Sequence, residues 1–275
     1  MKVYETGNIR NVVVMGHGGC GKTTLVEAIA YQTGITARMG KVTDGNTISD
    51  YDKEEQKRQF SISTSVVPVE FEDIKINFLD TPGYFDFVGE VEEACHAAGA
   101  AVIVINGKSG VEVGTLKAWE LCEKYKLPRL FFVTGMDDDQ ASYRKIVLEL
   151  NDRFGRKVAP FHVPIRENEK FVGFVNVVKM KGRRFINDTS EYEECDIPDY
   201  MDKHLNISRD ALVEAVADTS EELMERYFAG EEFTYEEVST ALRTHVMDCQ
   251  IVPVLVGSGV HNQGTSMLMN VIKRS

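Results

Sequence analysis

Apolar runs of strand length recur along the chain, separated by stretches whose apolar residues fall three or four positions apart. Residues 11–15 form the first run, and Leu25-Val26-Glu27-Ala28-Ile29-Ala30 follows at helical spacing, with Gly34 as its stop signal. Residues 65–71 and 74–79 are β-rich and separated only by Glu72-Asp73. That pattern predicts a hairpin, hence one antiparallel edge on an otherwise parallel sheet. The alternation then becomes regular: helix 90–98, strand 101–106, helix 112–126, strand 129–134, helix 140–154. Repeated βα units of this length build a parallel sheet with helices on both faces, and such sheets bind ligands at the carboxyl ends of their strands.

Two segments break the rhythm. Residues 35–64 are polar and charged with no steady apolar period, which predicts a long mobile loop, and long connections inside a compact domain are usually functional. From about 156 the texture changes: 158–165 and 171–180 read as strands, 208–228 and 234–246 as acid-rich helices, with a capping-box start at Thr234 and Glu237. Residues 251–256 are again an apolar strand, and 266–273 begin a last helix. The predicted class is therefore α/β, a three-layer αβα fold with a mostly parallel sheet and one antiparallel edge strand. Residues 1–155 and 251–275 would make the main domain and 156–250 an inserted α+β subdomain. The chain stops at Ser275 with little closing polar texture, which predicts an N-terminal fragment of a larger protein.

Composition narrows the function. Hydrophobic residues make up 43% and charged residues 27%, ordinary values for a soluble globular chain. No stretch approaches the length of a membrane span and no signal-peptide pattern opens the chain, so a cytoplasmic protein is expected. The net charge of −12 argues against independent binding of nucleic acid through many phosphate contacts. The cysteines, Cys20, Cys95, Cys122, Cys195 and Cys249, show no C-x-x-C pair, and His96, His162, His204, His245 and His261 fall at no metal-site spacing. Nothing calls for more than a monomer.

The chemistry is concentrated in Gly16-His17-Gly18-Gly19-Cys20-Gly21-Lys22-Thr23-Thr24. Gly16, Gly21, Lys22 and Thr23 fit the G-x-x-x-x-G-K-[ST] pattern of a P-loop, with a strand before and a helix after, as that pattern requires. The glycines let backbone N–H groups curl round a phosphate, Lys22 reaches the β- and γ-phosphates, and the Thr23 hydroxyl binds Mg2+. The predicted fold is thus that of a P-loop NTPase. Asp80-Thr81-Pro82-Gly83 follows an apolar strand, where an acid holds Mg2+ through its water shell and Gly83 offers its amide to the γ-phosphate. Strand 129–134 delivers Thr134-Gly135-Met136-Asp137 to the same rim. Cys20, inside the phosphate loop, is a candidate for a lowered thiol pKa.

Taken together these residues resemble the G domain of the translational GTPases, specifically elongation factor G and its relatives. The resemblance rests on the 16–24 motif, Asp52-Lys53-Glu54-Glu55-Gln56-Lys57-Arg58, Asp80-Thr81-Pro82-Gly83-Tyr84-Phe85-Asp86-Phe87, Leu127-Pro128-Arg129 and Pro253-Val254-Leu255-Val256-Gly257-Ser258. Its most specific part is Ser220-Glu221-Glu222-Leu223-Met224-Glu225-Arg226-Tyr227, within an insert that generic GTPases lack. The resemblance implies a switch driven by GTP/GDP and Mg2+ that acts on the ribosome, with residues 35–64 as switch I and 80–87 as switch II. It also implies contact between the insert and ribosomal stalk proteins. Ser61 then aligns with the switch I threonine that ligates Mg2+, and Ser258 and Gly259 join 134–137 around the base.

Several positions depart from the family pattern. Tyr84 stands where the family has the histidine that positions the attacking water, and a phenol, with an ordinary pKa of about 10, is no base near neutral pH. Thr134-Gly135 replaces the Asn-Lys pair, whereas Asp137 keeps the carboxylate for the guanine N1 and 2-amino group. Losing two such contacts predicts affinity weaker by about ten- to a hundredfold, with guanine still preferred over adenine. Gly19 replaces an acidic residue and Gly259 an alanine. Two other readings stay open: a nucleotide-gated ribosome-binding or regulatory protein with little hydrolysis, and an ATPase of the Gly-Gly-x-Gly-Lys-Thr-Thr kind, against which Asp137 and the insert count.

Overall fold

The structure, a computed structural model, describes residues 2–186 and 189–274; the side chains of Lys203 and His204 also lie outside the described residues. The chain enters strand β1 (Ile9–Gly16), turns through the glycine-rich loop and continues in helix α1 (Lys22–Gln32). Gly34, at φ +76°, lets the backbone leave that helix through the left-handed region. Helix α2 (Lys53–Arg58) precedes the hairpin of β2 (Ser65–Phe71) and β3 (Ile74–Asp80). There follow α3 (Val88–Ala97), β4 (Ala100–Asn106), α4 (Val113–Tyr125), β5 (Arg129–Thr134) and α5 (Tyr143–Phe154).

The second part begins with β6 (Val158–Pro160), β7 (His162–Glu167), β8 (Lys170–Asn176), β9 (Lys181–Phe185) and β10 (Tyr192–Cys195). Helices α6 (Asp202–Ala217), α7 (Glu221–Phe228) and α8 (Tyr235–Met247) lead to β11 (Val252–Val256) and α9 (Thr265–Arg274). One sheet has seven strands in the order β2-β3-β1-β4-β5-β11-β6, and a second has four, β10-β9-β8-β7. In the large sheet only the β2–β3 pair is antiparallel. The small sheet is antiparallel throughout.

Strand alternation sends successive residues to opposite layers. Val12 and Val14 of β1 join Leu25, Ile29 and Leu268 on the α1–α9 side, whereas Val13 and Met15 join Cys95, Ala118 and Ile146 on the α3–α4–α5 side. Phe131 and Phe132 of β5 divide in the same way, and Trp119 stacks on Phe131 at 5.8 Å. The second apolar cluster runs on without a break into Phe174 of β8 and Val238 of α8, so the small sheet shares its core with the large one.

Three sequence expectations are corrected, and two strands were not anticipated. Residues 158–165 are two strands, because the chain passes from the large sheet (β6) to the small one (β7) at Phe161, whose N–H still bonds Val254 O. Strands β9 and β10 escape a periodicity reading: Lys-Gly-Arg-Arg-Phe and Tyr-Glu-Glu-Cys carry charges on an edge hairpin. The helix expected over 208–228 starts earlier and is cut in two at Ser220, whose hydroxyl caps α7 by accepting from Leu223 N–H at 3.2 Å. Finally, residues 35–64 are folded against the domain, as described next.

Candidate functional site

The phosphate loop is shaped by its glycines. At Gly16, φ is +147°, and a Cβ there would stand 2.5 Å from Val104 O and 2.8 Å from Cys20 Sγ. Gly21, at φ +101°, is the left-handed residue that starts α1. The buried Lys22 ammonium is turned back on the loop, donating to Gly16 O at 3.2 Å and His17 O at 3.0 Å. His17 Nδ1 accepts from Gly114 N–H at 3.3 Å and its Nε2 lies 3.6 Å from Glu112, which ties the loop to the start of α4. Cys20 corrects an expectation: it is 1% exposed, and burial pushes its thiol up, the Lys22 charge opposing only in part.

Asp80 ends β3 beneath this loop, buried, with neither carboxylate oxygen hydrogen-bonded. The hydroxyls of Thr23 and Ser49 face it without reaching hydrogen-bond geometry, and they and the Lys22 charge offset part of the cost of burial. Burial prevails and pushes its pKa up to about 6. Thr23 Oγ1 lies 3.2 Å from Ser61 Oγ, which donates to Asp50 Oδ1 at 2.7 Å. The Asp50 carboxyl is likewise raised by burial, with the Ser61 hydrogen bond opposing. Two buried carboxylates and two hydroxyls are an all-oxygen donor set, which suits a hard divalent cation such as Mg2+. An unpartnered buried carboxylate is costly without one.

Acidic side chains, two of them buried, hold residues 35–64 in place. Glu27 of α1 accepts from Gly40 N–H at 2.8 Å and Ile48 N–H at 2.7 Å, one on each oxygen. Glu55 of α2 accepts from Ile62 N–H at 2.8 Å and Ser63 N–H at 3.0 Å. Glu90 takes Thr64 N–H at 2.7 Å. These bonds set Ser61 opposite Thr23. Gly83 is pressed on the phosphate loop: a Cβ there would meet Lys22 Nζ and stand 2.7 Å from Gly18 Cα. The Tyr84 ring covers Gly18 and packs on Phe60 at 4.7 Å between centroids. Gly18, Gly19, Thr24, Lys22, Ser61 and Tyr84 line a cavity of about 250 Å3.

At the far end of the loop, Thr134 Oγ1 accepts from Gly259 N–H at 3.2 Å, and its methyl would be 3.1 Å from a Cβ at Gly21. Gly135 takes φ +70°, Met136 is buried with its N–H on Gly257 O, and Ser258 is fully buried. The turns 134–137 and 257–259 are thus joined to the start of α1. Asp137 Oδ2 lies 3.7 Å from His261 Nε2. Every residue proposed from the sequence for phosphate, metal and base therefore lies on one rim of the large sheet. Sequence reasoning gave no role at the site to Glu27, Asp50, Glu55, Phe60 or His261. The first three sit in or against a segment without periodicity, and His261 is signalled only by following Ser258-Gly259 closely.

The model of the elongation factor Tu GTP binding domain family matches residues 7–275. Among solved structures, the crystal structure of a Thermus thermophilus protein is similar, with 36% identity and a TM-score of 0.88 over 97% of this chain. The match covers 40% of that chain's length.

Proposed function

The chain belongs to the family of the elongation factor Tu GTP binding domain, and from this premise we propose that it is the GTP-binding switch domain of an elongation-factor-G-like translation factor, hydrolysing GTP when the ribosome stimulates it. The observation that carries the proposal is Asp80, buried without a partner beside the Thr23–Ser61 pair and under the phosphate loop. The γ-phosphate of a nucleoside triphosphate, with its cation, would complete such a corner.

Each residue then has a role. The amides of the 16–21 loop surround the phosphates, and Lys22 exchanges two backbone carbonyls for phosphate oxygens. Thr23, Ser61 and Asp80 would hold Mg2+, which would supply charge neutralisation at the phosphates. Gly83, already against Lys22 and Gly18, gives its amide to the γ-phosphate and reports its presence to switch II. Asp137 pairs with guanine, and Thr134 keeps the base turns on the phosphate loop while giving up the direct contact an asparagine makes. The ribosome is the proposed partner, met through the whole protein in the cytoplasm, with 156–250 facing the stalk.

Calorimetric titration with GDP, a non-hydrolysable GTP analogue and ATP in Mg2+ buffer tests the assignment. Binding of both guanine nucleotides but not ATP is expected; no binding at millimolar ligand would overturn it. A second reading, a nucleotide-gated protein with little hydrolysis, is favoured by Tyr84, whose ring closes Gly18 against Phe60 where a base would stand. Single-turnover hydrolysis with and without ribosomes separates the two.

A further inference from the structure

A pocket of about 180 Å3 lies between the small sheet and the α8–α9 pair, away from the nucleotide rim. By the share of liquid volume per water, about 30 Å3, it has room for several waters or a small solute. Its floor is made of buried polar groups, two of which carry a nitrogen without a hydrogen-bond partner. Arg183 of β9 is 6% exposed, its Nε has no acceptor, Nη1 donates to Met267 Sδ at 3.0 Å, and the guanidinium lies over the Tyr192 ring, 4.5 Å from its centroid. A thioether is a weak acceptor for a guanidinium. Beside it His162 is 1% exposed with Nδ1 unpartnered, and burial together with Arg183 pushes its pKa down to about 3, so the ring stays neutral. Asn176, also buried, completes the floor.

Three more cations stand at the mouth: Lys179 after β8, Arg243 on α8 and Arg274 at the end of α9. Among the described residues none of these four basic side chains has a carboxylate within ion-pair distance. In a chain of net charge −12 that is a marked local reversal of sign. A buried guanidinium without an anion is costly. The site is therefore built for something negative, and its size and charge set the class. One carboxylate would balance one of the four charges, whereas a phosphate monoester carries about −1.5 to −2 and offers three acceptor oxygens. The planar fork of Arg183 matches two of those oxygens.

We propose that the pocket between the four-stranded sheet and α8–α9 binds a small phosphate monoester, with Arg183 at its floor and Lys179, Arg243 and Arg274 at its mouth. Arg183 takes the phosphate bidentately and Asn176 and His162 donate to the remaining oxygen. The organic part lies outward, against the exposed ring of Tyr235.

The test follows the Arg183 Nε–Hε resonance by NMR during titration of the whole chain with inorganic phosphate, against chloride at matched ionic strength. The Arg183→Met variant, similar in volume, assigns the resonance. The Lys179→Ala/Arg243→Ala variant, altered only at the surface, keeps the test open if Arg183→Met does not fold. A saturable shift of Arg183 Nε and the Asn176 side-chain amide is expected with phosphate and not with chloride. Removing two rim charges should weaken it about a hundredfold, about tenfold for each lost charge-assisted contact. Phosphate that moves the 16–21 amides while leaving Arg183 unmoved, or an equal response to chloride, would overturn the proposal.

Discussion

Replacing Asp80 with asparagine should stabilise the nucleotide-free chain at neutral pH. The Asp80 carboxyl has an ordinary pKa of 3.8, raised to about 6 in the folded chain, mainly by burial. Between those values the folded state holds more protons than the unfolded state, so this group makes stability fall as pH rises through the interval and leaves it at the lower level above about 6. At about 1.4 kcal/mol per pH unit the penalty approaches 3 kcal/mol at pH 7. Asparagine is nearly isosteric and never ionises, and its amide meets the Thr23 and Ser49 hydroxyls that already face the position. Urea unfolding of both proteins in EDTA, followed by circular dichroism from about pH 4 to about pH 7.5, gives the difference directly. The advantage of Asp80→Asn should grow by about 2.5 kcal/mol across that range and then level off. With Mg2+ and a GTP analogue the order should reverse, because ligand bound only to the folded wild type adds stability by mass action. A difference that stays constant from pH 4 to 7, or a variant less stable at pH 7, would refute the view of Asp80 as an ionised carboxylate waiting for a cation.

Other outcomes follow from the same geometry. Glu27→Gln loses the charge on the acceptor for Gly40 and Ile48; a cost of about 1.5–3 kcal/mol and faster proteolysis within 35–64 are expected, and an unchanged digestion pattern would count against anchoring by Glu27. Gly83→Ala puts a methyl against Lys22 and Gly18, so calorimetry should find the preference for GTP analogue over GDP reduced while GDP affinity holds. Asp137→Asn should weaken GDP binding by about 1–3 kcal/mol, about ten- to a hundredfold; equal GDP affinity in the variant would remove Asp137 from the base site.

The elements around the nucleotide rim were legible because each is a local pattern. The P-loop is contiguous, the hairpin needs only its two-residue turn, and β4, β5 and β11 are apolar runs buried on both faces. The segment 35–64 was not, since its order comes from single buried carboxylates bonding distant amides, Glu27 to Gly40 and Ile48, Glu55 to Ile62 and Ser63. Such bonds leave no period in the sequence. The crossing at Phe161 was equally hidden: strand propensity says that 158–165 is extended, but not which sheet each half joins.

Cys20 and Asp80 show how the two levels divide. From the sequence both belong to a phosphate loop and its neighbouring strand end, and Lys22 alone would favour the charged form of each. Their burial reverses that, raising both groups. Likewise His162 and Arg183 are two unremarkable residues in separate strands until β7, β8 and β9 pair and set them in one pocket. The sequence by itself determined the fold class, the phosphate loop and the residues gathered on its rim, because backbone periodicity and a contiguous motif are local properties. Tertiary structure alone decided which of those groups lose water and which charges meet, because desolvation and Coulomb energy depend on distances between residues far apart in the chain.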